Sequence, residues 1–138
     1  LASSVDYCYA TKHAAVKLSE LAVGIGPFVV GPACERKLGL AGMSDLAINA
    51  TEWRSADWAL QRGLYNDIFE DAAAMDSAIE ALVGRLLTKS VPAMRGLKKV
   101  FWEGTEHWDD LLAERAAISG ELILSKEAKD AINAFKMK

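Results

Sequence analysis

The chain has 138 residues, 51% of them apolar, enough for one hydrophobic core, whereas two independent domains would each be marginal. Sixteen Lys and Arg against nineteen Asp and Glu leave a net charge of -3, too mild and too mixed to point to nucleic acid. Lys, Asp or Glu interrupt every apolar stretch well short of the roughly 20 residues that span a bilayer, so a soluble chain is expected.

The N-terminus, LASSVDYCYAT, has neither a basic stretch nor a long apolar run, so no signal peptide is expected. With no initiator Met and an abrupt apolar start, it reads as beginning in mid-element, as a piece of a longer protein would. Val5–Thr11 mixes β-branched and aromatic residues and predicts a short strand, and Ala14–Leu18 predicts a second. Gly24, Gly26 and Pro27 then break any regular element. Pro27 is placed in the first turn of a helix through Phe28–Gly39, with Pro32 as a kink or second start. Gly39 closes that helix and Ala41–Ala50 forms another. From Thr51 to Phe69 the pattern gives a Ser55 N-cap, a short helix ending at Gly63 and a strand-like LYNDIF.

After Asp71 the pattern is helical to the end. Met75, Ile79, Leu82, Val83 and Leu86 share one face at spacings of three and four. Ser90-Val91-Pro92 opens a helix to Gly104, Thr105 is expected to cap the next through Leu124, and Ser125 the last through Phe135. No internal repeat or low-complexity segment is visible.

Candidates for chemistry are few. Cys8 and Cys34 are far apart and in neither a CxxC nor a Cys/His spacing, so neither a disulfide framework nor a metal site is expected, and a reducing cytoplasm suits them. His13 and His107 belong to no recognisable triad and read as surface residues. The glycines of GIGP are turn formers, since no Lys-Ser/Thr follows them as in a phosphate loop. Trp53, Trp58, Trp102 and Trp108 suit core or subunit packing better than a binding surface. Lys98, Lys99, Lys136 and Lys138 are the cations available to a phosphate, though such lysines more often keep a surface wet. Glu20, between Lys17-Leu18-Ser19 and the glycine-rich turn, is placed to stand at a cleft edge as an acid/base. Taken alone, a Glu beside a turn is more often a solvated loop residue or a cap.

Three segments together resemble the C-terminal half of the crotonase (enoyl-CoA hydratase/isomerase) superfamily, whose members bind acyl-CoA thioesters and stabilise an enolate-like intermediate. ASSVDYCYATKHAAVKLSELAVGIGP is similar to the form LAxxxDxxxAxxxAxFxxPExxxGxxP, with Asp6, Ala10, Ala14, Glu20, Gly24 and Pro27 at matching places and Ser19 in place of Pro. TEWRSADWALQRGLYNDIF is similar to the family's Ser-Ala, Ala-Leu and Gly-Leu-Val series, here Ser55-Ala56, Ala59-Leu60 and Gly63-Leu64 with Tyr65 replacing Val. SKEAKDAINAF resembles the closing acidic-basic helix ending in Phe, here Phe135. GIGPFVVGP departs from the common PGxGGTQRL form.

The resemblance implies an α/β, helix-rich fold: residues 1–70 as the C-terminal part of a crotonase-type ββα spiral and residues 71–138 as a helical region for subunit packing. It implies Glu20 as the catalytic acid/base, hydrating or isomerising an enoyl-CoA without a further cofactor, coenzyme A entering as part of the substrate. The family's second glutamate would fall just before Leu1, in a glycine-rich segment that carries one oxyanion-hole amide; the other amide lies earlier still. Ile25, Gly26, Pro27 and Phe28 are expected to wall the acyl pocket, and Phe135 and Lys138 to reach CoA from a neighbouring subunit. A homotrimer or hexamer is implied, and apolar positions Leu111, Leu112, Ile118, Leu122 and Leu124, too many for one small chain to bury, agree with it. Overall similarity slightly favours a branched or carboxylated acyl group over a straight fatty chain. Read without its missing segments, the chain is an assembly module with no turnover.

Overall fold

A computed structural model describes residues 1–136. After a 3-10 turn at Ala2–Ser4 the chain enters strand β1, Tyr9–Thr11, then β2, Ala15–Val16, so both expected strands form, shorter than the pattern suggested. A second 3-10 turn, Glu20–Val23, ends at Gly24, which takes a left-handed conformation (φ 76°). Helix α1 spans Gly31–Ile48.

Pro27 is not in the first turn of α1. Phe28 N–H donates to Gly26 O at 2.8 Å, closing a tight turn, and Pro32 instead occupies the helix start, where its missing N–H costs no hydrogen bond. Gly39 interrupts α1 with φ 69° and ψ 166°, a backbone state reserved for glycine, so the expected break falls where the sequence placed it. On either side of it, Cys34 and Leu38, then Leu46, point into one core.

Strand β3, Arg54–Ser55, pairs antiparallel with β2, setting Ala15 opposite Ser55 and Val16 opposite Arg54. Ser55 Oγ accepts from Trp58 N–H at 3.2 Å and so caps helix α2, Ala56–Gln61. Strand β4, Asp67–Phe69, lies parallel to β1, with Ala10 opposite Ile68. Asn66 reinforces this pair: its Oδ1 accepts from Cys8 N–H at 2.8 Å while its own N–H donates to Cys8 O at 2.7 Å. Between the strands and α1 and α2 sits the core cluster of Ala10, Cys34, Leu38, Leu46, Ala56, Ala59, Leu64 and Tyr65. Arg54 clips the end of α1 to β3 through two bonds to Asp45, at 2.7 and 3.1 Å.

Four helices follow: α3, Ala72–Leu87; α4, Val91–Phe101; α5, Trp108–Ile123; and α6, Lys126–Lys136. Asp71, Ser90 and Ser125 cap α3, α4 and α6 through Ala74, Ala93 and Ala128 N–H groups at 2.8, 3.4 and 3.1 Å. Thr105 does not cap α5. Its hydroxyl donates back to Trp102 O at 2.7 Å, and α5 starts three residues later, behind His107.

No residue of α3, α4 or α5 is buried. The predicted stripe on α3 forms, yet Ile79, Val83 and Leu86 are exposed, as are Ile118 on α5 and Leu124 just after it. In α6, by contrast, Ala128 is fully buried against the turn at Gly24. No described helix is long and apolar enough to cross a membrane.

Candidate active site

Glu20 is the first residue of the 3-10 turn that follows β2. The turn folds on its own backbone: Gly24 N–H donates to Leu21 O at 3.1 Å and Ile25 N–H to Glu20 O at 3.0 Å. Only a residue that tolerates positive φ completes it, which is the local reason for Gly24. The main chain of Glu20 is thereby fixed while its side chain stays uncommitted. Glu20 is half-buried, and its Oε2 is buried without a hydrogen-bond partner, alone in this respect among the described side chains. Buried acceptors are almost always satisfied, so an orphan carboxylate oxygen marks a place where a donor from outside belongs.

The four residues expected to wall an acyl pocket, Ile25, Gly26, Pro27 and Phe28, follow directly and are all half-buried. The Phe28 ring lies over Gly26, where an added Cβ would stand 2.5 Å from the ring, so a side chain at Gly26 would displace Phe28. Pro27 and Phe28 open onto a cavity of about 730 Å³ between α1 and α5, lined further by Leu40, Met43, Trp108 and Leu111. Ser19, Ala22 and Val23 face a different cavity, of about 570 Å³, bounded by Lys17, Ala50 and Phe135. Both volumes are in the range of small-molecule sites. Neighbours of Glu20 thus line one hollow and Pro27 and Phe28 line the other, while Glu20 itself lines neither.

Phe135, on α6, borders this second cavity and is 73% exposed. Lys138 lies outside the described residues. His13 and His107 are exposed. Cys34 is buried with its Sγ 3.5 Å from Ser3 Oγ, and Cys8 is half-buried; burial pushes the Cys8 thiol above its ordinary value, against the opposing pull of Lys37, which disfavours a thiolate nucleophile. No group of three or more His, Cys, Asp or Glu among the described residues is arranged to hold a metal ion.

None of the four tryptophans is buried. Trp58 packs on the edge of the core, and Trp53 is 63% exposed with Lys17 Nζ 4.5 Å from its ring centre. Trp102 is the hub of a polar junction unseen in the sequence. Its Nε1–H donates to Asp6 Oδ1 at 2.5 Å, Lys98 donates to Asp6 Oδ2 at 2.7 Å, and Arg36 and Lys98 lie over its ring at 4.3 and 4.6 Å. Asp6 and Trp102 are 96 positions apart, so no local pattern announces them. The Lys98 hydrogen bond, helped by Trp102 and Arg36 and opposed by desolvation, holds the Asp6 carboxyl below its ordinary value.

A family model described as "Enoyl-CoA hydratase/isomerase" matches residues 1–138. A curated short-chain-enoyl-CoA hydratase from Clostridium acetobutylicum is 28% identical over 136 residues, 98% of this chain and 52% of that protein. Among solved structures, an enoyl-CoA hydratase from Mycobacterium avium superposes with a TM-score of 0.89 at 23% identity, covering 99% of this chain and 53% of its own. An enoyl-CoA hydratase/isomerase from Pseudoalteromonas atlantica gives 0.86 at 21% identity, covering 99% and 55%. The chain thus spans about half the length of the relatives it matches.

Proposed function

The chain belongs to the enoyl-CoA hydratase/isomerase family, a partial crotonase domain, and on that premise we propose that the protein hydrates an α,β-unsaturated acyl-CoA with Glu20 as its acid/base. The observation that carries this reading is the orphan Oε2 of Glu20, a buried acceptor without a partner on a turn whose backbone is fixed by its own hydrogen bonds. A water bound there gives a proton to Glu20 as its oxygen bonds to the β-carbon. The electron pair of the double bond passes to the α-carbon and the thioester oxygen. Glu20 then returns the proton to the α-carbon, so that water has added overall and the carboxylate is regenerated.

Charge on the thioester oxygen calls for two N–H donors, each typically worth about 10²- to 10³-fold. In this reading they come from a segment outside these 138 residues, and Ile25, Gly26, Pro27 and Phe28 form the acyl wall. The same carboxylate serves a double-bond isomerase by moving a proton between carbons, and a decarboxylase of the superfamily is the further variant. Lys138 and Phe135 remain candidates for contact with CoA. The unburied faces of α3, α4 and α5 support a trimer or hexamer, and a cytoplasmic setting suits the two free cysteines.

Glu20→Gln in the full-length protein tests the proposal. Hydration of but-2-enoyl-CoA is expected to fall by about 10²- to 10⁴-fold with no lowering of the unfolding midpoint, because the amide fills the same space. Turnover equal to wild type would overturn Glu20 as the acid/base. A wild type without activity on any enoyl-CoA would favour the second reading, a non-catalytic assembly module.

A further inference from the structure

Among the described residues of α3 to α6, Ala128 alone is buried, and it keeps no exposed surface. It lies in the first turn of α6, where its N–H donates to Ser125 Oγ at 3.1 Å while Ser125 N–H donates to Leu122 O at 3.0 Å, so the corner between α5 and α6 sets its place. What it meets is Gly24: a Cβ built there would stand 2.9 Å from Ala128 Cα and 3.2 Å from Ala128 Cβ. Farther along α6 the two surfaces part around the cavity of about 570 Å³, with Ala22 and Val23 on one wall and Ala131 and Ala134 on the other. Close contact between α6 and the turn is thus concentrated at Ala128. The turn depends on such a contact from outside. None of Glu20–Val23 is buried, and the bonds from Gly24 N–H to Leu21 O and from Ile25 N–H to Glu20 O fix the turn's shape without fixing where it stands.

Resting on the hydratase reading above, we propose that Ala128 is a positioning residue for the acid/base: by seating α6 on Gly24 it sets where the Glu20 turn stands, and so where the carboxylate meets the substrate. Ala128 touches no reacting atom and acts through Gly24, whose N–H bonds tie it to Glu20 and Leu21. Its small size is the working property. A longer side chain at 128 has main chain in front of it, so either α6 or the turn must give way. A misplacement of about 1 Å at a reacting group costs about 10²-fold in rate, which makes turnover more sensitive to this contact than substrate binding is.

The test is a size series in the full-length protein, Ala128→Ser, Ala128→Val and Ala128→Leu, beside Lys129→Gly, which weakens α6 from its exposed side and puts nothing between the helix and the turn. With but-2-enoyl-CoA, kcat is expected to fall stepwise with side-chain size, by about 10- to 100-fold at Leu, while KM stays within about twofold. Lys129→Gly should lower the unfolding midpoint and keep the wild-type kcat. If Ala128→Leu does not fold, Ser and Val carry the series. A flat kcat across the series, a loss that lies wholly in KM, or an equal kcat loss in Lys129→Gly overturns the positioning role. Hydrogen exchange at the Gly24 and Ile25 amides is read on the same proteins, and faster exchange in Ala128→Val than in Lys129→Gly is expected. If wild type turns over no enoyl-CoA, the hydratase reading has failed and exchange alone judges the link: faster exchange in the size series sustains it, and equal exchange sinks it.

Discussion

Gly24 and Ala128 meet backbone to backbone: a Cβ built on Gly24 would stand 2.9 Å from Ala128 Cα and 3.1 Å from Ala128 N. Helix α6 therefore docks on the turn that carries Glu20 because that turn ends in a residue without a side chain. The contact fixes one side of the Lys17 cavity as well, since Phe135 reaches it from the same helix.

Gly24→Ala is expected to destabilise the protein by about 1 to 3 kcal/mol, combining the left-handed backbone with an obstruction that only a shift of α6 relieves. Urea unfolding measures the loss. Adding Ala128→Gly should recover little of it, because the nearest obstructing atoms are main chain. Full recovery in the double variant would show that the contact is made by side chains and that α6 docks differently.

Asp6 and Asp45 set an acid limit. The Lys98 hydrogen bond holds the Asp6 carboxyl below its ordinary value of 3.8, and the Arg54 hydrogen bond does the same for Asp45. A carboxylate whose folded value is depressed adds stability above its unfolded value and loses it as pH falls through the folded one. Asp6→Asn should therefore cost about 1 kcal/mol at pH 7, in keeping with a partly solvated pair, and the gap to wild type should close below about pH 3.8. Unfolding midpoints from pH 7 down to pH 2.5 check it; a gap that persists at the acid end would mean that the charge on Asp6 is not what joins α4 to the N-terminal segment.

The N-caps offer a graded series. Asp71→Ala removes a 2.8 Å bond to Ala74 N–H and should cost about 1 kcal/mol, whereas Ser90→Ala removes a 3.4 Å bond to Ala93 N–H and should cost less. Thr105→Ala should leave α5 intact, its hydroxyl being spent on Trp102 O before that helix begins. Thermal melts of the three variants give the order, and a Thr105→Ala loss as large as that at Asp71 would contradict it.

What could be read in the sequence was local. Ser55, Ser90 and Ser125 cap where the pattern put them because a cap needs only its own next three residues, and Gly39 breaks α1 because its backbone state excludes other residue types. Pro27 and Thr105 misled because each had a competing local turn, closed by Phe28 N–H in one case and by Trp102 O in the other. Partners far apart in sequence left no trace: the Asp6, Lys98 and Trp102 junction and the stacking of Lys17 on Trp53 join residues that no short motif links. Glu20 was named by family resemblance, and its unpartnered oxygen became visible only in three dimensions. Likewise, the periodic face of α3 was correctly drawn, but periodicity does not say which surface covers it.

The parallel pairing of Tyr9–Thr11 with Asp67–Phe69 has a thermodynamic corollary. Cys8 and Asn66, which flank it, are 58 positions apart, and tying such a loop costs roughly 3 to 4 kcal/mol of chain entropy beyond a constant. Three ladder positions and the Cys8–Asn66 clip recover little more than that. The strands are therefore a clasp fastened on a body already formed: it is Leu38, Leu46, Ala59 and Leu64, gathered by α1 and α2, that bring the two ends within reach.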